Sequence, residues 1–320
     1  MNRSEFRAKV LWPVYCMAKK ITGSPFHLPL TYQTIQETNQ VMFEALSADK
    51  PVMICRMGAT ELETVTGYIN RDISIIQKLV RKLHFESIGF NARIRRMICD
   101  YSGFFPADTQ HLTRFCELML DCMGSADILG CWRPEELRVR KYFKAELITV
   151  PLNGLEPFFC ENPWTRALEG KKVLVIHPFS ESIEKQYRIR EKLFGNPLIL
   201  PKFELRTIQA VQSLGGESSF PSWFDALESM KDEIARYDFD VALIGAGAYG
   251  FPLASHVKRM GKMAIHLGGV LQMLFGIYGN RWKNSPLINE YWIPPSKSET
   301  PKSASKVENA TYWCDTEIKG

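Results

Sequence analysis

The chain lacks most of the features that announce a function class. None of its eight cysteines forms a CxxC pair, and no Cys/His cluster has zinc-ligand spacing, which excludes the common zinc modules. No apolar run approaches the roughly 18–20 residues of a membrane span. No internal repeat is visible, which excludes a repeat array. Strongly basic stripes with interleaved aromatics are missing, and the net charge of +5 is mild, so nucleic acid is not an expected partner. Several cysteines sit inside apolar runs, as Cys55 does in Val52-Met-Ile-Cys. Buried free thiols in a reducing compartment explain this better than disulfides, and a cytoplasmic setting follows.

What is present is ordinary for a globular protein. The 320 residues are 45% apolar and 23% charged, enough for one large core or two smaller ones. An apolar stretch, Val10-Leu-Trp-Pro-Val-Tyr-Cys-Met-Ala, lies between Arg3/Arg7/Lys9 and Lys19/Lys20. Pro13 interrupts it and no clear small-residue cleavage site follows, so residues 1–30 are expected to be a helical surface segment, with loose attachment to an anionic membrane face as the alternative. The body is expected over 31–293, divided by a loop near 151–170. From Pro294 to 320 a Pro-, Ser- and Lys-rich tail reads as extended, although its Ala310-Thr-Tyr-Trp-Cys could dock back on the body.

The pattern along the body is α/β. Pro51-Val-Met-Ile-Cys reads as a short buried strand, and Leu112, Phe115, Cys116, Met119, Leu120 and Met123 recur as one helical face. Lys172-Val-Leu-Val-Ile reads as a buried parallel strand, followed by a helix that Ser180 can cap and that ends near Gly195. Pro221-Ser222 starts a helix burying Trp223, Leu227, Met230 and Ile234. Then comes the clearest unit: strand 239–244, glycine turn 245–250, a helix with Pro252 just inside its start and Gly261 past its end, and strand 263–267. Strand, helix and strand in about 30 residues predict a right-handed crossover and a mostly parallel, Rossmann-like sheet flanked by helices.

Four constellations could carry chemistry. Gly245-x-Gly247-x-x-Gly250, with Tyr249 inside it, matches the dinucleotide fingerprint in a strand–turn–helix context. A nicotinamide site wants an acid about 20 positions on; here stand His266, Gly268 and Gly269. The turn therefore reads as a phosphate or sugar-nucleotide turn, against close helix–strand packing without a ligand. Arg56-Met-Gly58-Ala-Thr60-Glu61 follows the first strand, where ligands of parallel sheets collect. Arg56 can fork a phosphate, Thr60 can cap a helix, and Glu61 can be a base, a metal ligand or a dipole-stabilising charge. His177, Ser180, Gln186 and Tyr187, with Arg190, form the third group, and Gln272 with Arg281 the fourth. Cations at 71, 78, 81, 82, 93, 95 and 96 make a loose basic patch, expected to be a solvated helix face, with a membrane or polyanion surface as the alternative.

These residues resemble a family. Strand-Arg56-x-Gly-x-x-Glu61 early and the strand–glycine turn–helix–strand late resemble the GT-D-type glycosyltransferases of bacterial surface-polysaccharide and glycoprotein pathways. Ser102-Gly-Phe-Phe-Pro, Gly170-Lys-Lys-Val-Leu-Val-Ile-His-Pro-Phe, Gly245-Ala-Gly-Ala-Tyr-Gly-Phe-Pro-Leu-Ala and Ile265-His-Leu-Gly-Gly are similar to a bacterial group over roughly 50–315. The resemblance implies a Rossmann-like fold and sugar transfer from a nucleotide-sugar donor; a glycan or lipid-linked acceptor and peripheral contact at the inner membrane face are expected beside it. On that reading Glu61 is the base or the metal-side carboxylate, Arg56 and Arg281 neutralise the donor phosphates, and His177, the second catalytic candidate, orients donor or acceptor hydroxyls together with His266. The resemblance also implies Mg²⁺ or Mn²⁺ at an Asp-x-Glu motif, of which this chain keeps Glu61 and has Ala59 for the Asp. No tightly bound cofactor is expected. The alternatives are a nucleotide-cofactor oxidoreductase and a non-catalytic nucleotide- or sugar-binding protein of a polysaccharide locus.

Overall fold

The structure, a computed structural model, describes residues 17, 27–83, 86–216, 218–301, 304 and 311–314. Of residues 1–30, read as a helical surface segment, only the exposed Met17 and residues 27–30 are described, and 27–30 are not helical, with Leu28 buried. Helix α1 (Ile35–Ser47) opens on a capping box: the Thr34 hydroxyl accepts from the Glu37 amide while the Glu37 carboxylate accepts from the Thr34 amide. Strand β1 (Val52–Arg56) follows, then helices α2 (Ala59–Ile69), α3 (Ile75–Leu83), α4 (Ala92–Ser102) and α5 (Thr109–Met123). Strand β2 (Ile128–Cys131), the short helix α6 (Glu136–Val139) and strand β3 (Ile148–Pro151) complete the first half. The second half is β4 (Lys172–His177), α7 (Ser180–Tyr187), β5 (Glu204–Gln209), α8 (Trp223–Ile234), β6 (Val241–Ile244), α9 (Gly250–Arg259), β7 (Met263–His266) and α10 (Leu271–Leu274).

The strands form one seven-stranded parallel sheet in the order β3-β2-β1-β7-β6-β4-β5. The α/β, Rossmann-like expectation is met, and the loop at 151–170 joins two strands of a single sheet. β6 and β7 are buried along their whole length, as strands covered on both faces must be. One face packs on α2, α4, α5, α8 and α9 through Leu62, Ile98, Phe115, Trp223 and Leu253. The other packs on α1, α7 and α10 through Met42, Ile183 and Leu271, with Trp164 beside them. After β4 the chain steps outward to β5; after β6 it steps inward to β7. The connections diverge above β4 and β6, and a crevice opens there at the carboxyl ends.

Two helix starts depart from expectation. Gly58, not Thr60, is the N-cap of α2, so Thr60 lies inside the first turn. Phe179 is the N-cap of α7 and no side chain next to it caps the helix, so Ser180 does not play that part. Glu299 does it from the tail: its carboxylate accepts from the Glu181 amide at 2.8 Å, the Ser182 amide at 3.2 Å and the Ser182 hydroxyl at 2.5 Å. A carboxylate there also meets the positive end of the helix dipole. α7 ends at Tyr187, well before Gly195. The tail does dock: Asn280 donates to the Trp313 carbonyl at 2.8 Å, Arg281 to that of Thr311 at 3.1 Å, and the Trp313 ring is buried. The cysteines among the described residues are free thiols, six of them buried and Cys99 partly so. No described helix is long and apolar enough to cross a membrane.

Candidate functional site

The carboxyl ends of β1, β4, β6 and β7 converge on a cavity of about 220 Å³. From the end of β1 it receives Arg56, Gly58, Thr60 and Glu61; from β4, His177; from the turn after β6, Gly245, Gly247 and Tyr249. His266, Gly268, Gly269 and Gln272 enter from β7 and the turn behind it, and Arg281 from the following loop. Residues 225 positions apart in the chain, Arg56 and Arg281, therefore share one site. Ser180, Gln186, Tyr187 and Gly250 lie outside the lining. Gln186 donates to the carbonyls of Gly276 and Tyr291, Tyr187 stacks on Phe203 and bonds its backbone, and Gly250 leaves room for the His266 ring packed against it.

The glycine turn is largely closed on itself. The Tyr249 and Gly250 amides donate to the carbonyls of Ala246 and Gly247. A Cβ at Gly245 would lie 2.7 Å from the Gly268 carbonyl oxygen and 2.7 Å from the His177 ring, and Gly247 has φ +51°, which favours glycine. Tyr249 faces a wall: its ring stacks on Trp223 at 4.9 Å, and its hydroxyl donates to Ser213 Oγ at 2.7 Å, since Ser213 in turn donates to the Gly103 carbonyl. The packing interpretation of this turn accounts for most of its sequence.

The polar groups without partners lie elsewhere on the wall. Arg56 Nε, His266 Nδ1 and Gln272 Oε1 are buried and have no hydrogen-bond partner among the described residues. Each such atom costs about 1–3 kcal/mol, and all three belong to residues lining the same cavity. Burial lowers the Arg56 pKa, opposed by the Glu61 charge. Its guanidinium stands 5.1 Å from the Trp132 ring centre. Gln272 is oriented by its amide, which donates to the carbonyls of Ile277 and Tyr312 at 3.3 Å each.

Both histidines are neutral. Burial pushes His177 down to about 3, and burial, helped by the Arg56 charge, does the same to His266. His177 Nδ1 accepts from the Phe179 amide at 3.0 Å, so the neutral ring carries its proton on Nε2 and can only donate from there. That fits orienting a ligand oxygen and does not fit a general base near neutral pH. Glu61, in the first turn of α2, folds its carboxylate over Gly58, where a Cβ would collide with it.

Several lining residues escaped the sequence reading. Trp132 directly follows β2; its indole N–H donates to the Met57 carbonyl at 3.0 Å and its amide to Glu136, and the residue is 36% exposed. Glu136 is wholly buried, and burial raises it to about 7 despite that amide. Tyr312 and Trp313 bring the tail to the cavity, and Ser213 comes from the loop after β5. None belongs to a motif; Trp132 and Ser213 would have been candidates had β2 and β5 been read as strands.

Residues 160–274 match the family model of the GT-D fold-like domain. That stretch holds β4 through α10, with His177, the glycine turn, His266 and Gln272, and stops short of Arg56 and Glu61 at one end and Arg281 at the other. The GT-D-type resemblance is supported over this part of the chain. Comparison with curated proteins finds no match, and comparison with solved structures finds none either.

Proposed function

We propose that this chain is a glycosyltransferase-like enzyme that takes a nucleotide-sugar donor in bacterial cell-surface glycan or glycoconjugate synthesis. One observation carries the reading: the unpartnered Arg56, His266 and Gln272 atoms surround one cavity at the switch point of a parallel sheet, in a chain with a GT-D fold-like domain. A bound diphosphate and sugar supply both kinds of partner these atoms need. Anionic oxygens take the Arg56 guanidinium and, across the cavity, Arg281. Hydroxyls take the Gln272 carbonyl oxygen and the donor at His177 Nε2.

Transfer needs a departing diphosphate neutralised and a proton removed from the acceptor hydroxyl. The two arginines serve the first demand. Glu61 accepts the proton in this reading, and the neutral histidines hold hydroxyls in place. Among the described residues no group of three or more His, Cys, Asp or Glu is arranged to hold a metal ion. The β1 loop offers one carboxylate, with Ala59 beside it, so this donor set does not fit a divalent ion held by the protein itself.

Ala59 also favours a second reading, a nucleotide-sugar-binding protein without transferase activity. A thermal-shift panel of nucleotide sugars, free nucleotides and dinucleotides, with and without Mn²⁺, tests the ligand class. A true ligand at a hundred times its dissociation constant stabilises by about 2.7 kcal/mol. If no nucleotide sugar stabilises the protein, the proposal fails. If one does, transfer that survives Glu61→Gln removes Glu61 from the mechanism, and absence of transfer to any acceptor favours the binding protein.

A further inference from the structure

Away from the cavity, α3 presents a face that none of the described residues covers. It starts on Ser74, whose hydroxyl accepts from the Gln77 amide at 3.3 Å while the Gln77 side chain accepts from the Ser74 amide at 3.1 Å. The helix Ile75-Ile-Gln-Lys-Leu-Val-Arg-Lys-Leu83 has no acidic residue. Ile75, Ile76 and Leu79 are 77%, 75% and 58% exposed. Their spacing of three and four residues puts them on one ridge. Lys78 and Lys82, four apart, form a stripe alongside, with Arg81 next to it.

The base of this helix is fixed to the body. Gly89 donates to the Gly67 carbonyl at 2.8 Å, and buried Asn70 donates to that of Ser87 at 3.0 Å. Glu86 receives Arg138 at 2.7 Å and Arg81 at 3.4 Å. The ridge is thus held outward on an anchored segment. Three bare aliphatic side chains in water, beside two lysines, are the composition of a helix that lies in a membrane interface. A second copy of the chain fits worse, because a two-fold contact through this helix would set its cations against their own copies.

We propose that α3 seats the protein on an anionic lipid bilayer, with Ile75, Ile76 and Leu79 entering the headgroup boundary and Lys78 and Lys82 meeting lipid phosphates. The inference does not depend on the reaction in the cavity, because its readout is lipid binding. The test is cosedimentation of the full chain with vesicles of phosphatidylcholine alone and with vesicles in which part of it is replaced by phosphatidylglycerol. Binding is expected to the anionic vesicles, weakened by salt, and not to the neutral ones. Ile76→Asp and Leu79→Asp should abolish it with an unchanged melting temperature, and Lys78→Gln and Lys82→Gln should each weaken it by roughly fivefold. Failure of the wild type to bind anionic vesicles overturns the proposal. So does equal binding by the aspartate variants, which would place the contact elsewhere in the chain. A concentration-dependent dimer that Ile76→Asp disrupts, without lipid binding, overturns it in favour of a second copy.

Discussion

The turn after β6 and the loop after β1 face the same cavity and are built on opposite principles. Gly245–Gly250 looks like a ligand loop in sequence, yet two of its amides bond its own carbonyls and its tyrosine is stacked and hydrogen-bonded into a wall. The Arg56–Glu61 loop matches a shorter pattern, yet it supplies a buried guanidinium nitrogen with no partner and a carboxylate at a helix start. The difference teaches that glycines mark where elements come close, while unpaired polar atoms mark where a ligand belongs. His266 joins the two: its ring packs on Gly250, and its Nδ1 remains unpaired in the cavity.

The largest expected effect probes that closed packing through pH. His177 and His266 titrate near 3 in the folded chain, against about 6.5 when unfolded. The unfolded chain therefore binds more protons below pH 6.5, and stability present above that value is lost as pH falls toward 3. The slope is about 1.4 kcal/mol per pH unit for each histidine, or about 2 kcal/mol each at pH 5. Denaturation midpoints between pH 7 and 5 should fall accordingly, and His266→Gln should flatten the curve. A midpoint independent of pH in this window would mean that neither ring is sealed.

Gly245→Val comes next. With no space between the Gly268 carbonyl and the His177 ring, it should cost about 1–3 kcal/mol in a urea titration. A variant as stable as the parent would show the turn to be loose, and the contrast with the β1 loop would collapse. Glu299→Ala should cost about 1 kcal/mol, near the value of other helix caps, and should raise amide exchange at Glu181 and Ser182 specifically.

Much of this architecture is legible in the sequence. The β6–α9–β7 unit is, because its turn, Pro252 and Gly261 all punctuate one helix between apolar runs. So are β1, β4 and the start of α8, whose Ser222 caps it by accepting from the Asp225 amide. Strands β2 and β3, of four residues each, are too short to show a period, and β5 is an edge strand whose Glu204, Arg206 and Gln209 disguise it. The site was legible where residues close a recognisable strand, as Arg56, His177 and His266 do. Trp132, Ser213 and Tyr312 were not, because the sheet order brings them in from strand ends and a tail that no local pattern connects. Gln186 and Tyr187 also come from the segment after β4, but α7 turns Gln186 toward the Gly276 loop and Tyr187 toward Phe203.

The central claim is that the unpaired atoms, not the glycine turn, hold the ligand. Calorimetric titration of a stabilising nucleotide sugar into the wild type and Arg56→Gln tests it most directly. Loss of a charge-assisted contact of about 1.5–3 kcal/mol predicts affinity reduced by roughly tenfold to a hundredfold, with the ligand-free melting temperature held or raised. Equal affinity in the two proteins would contradict the account.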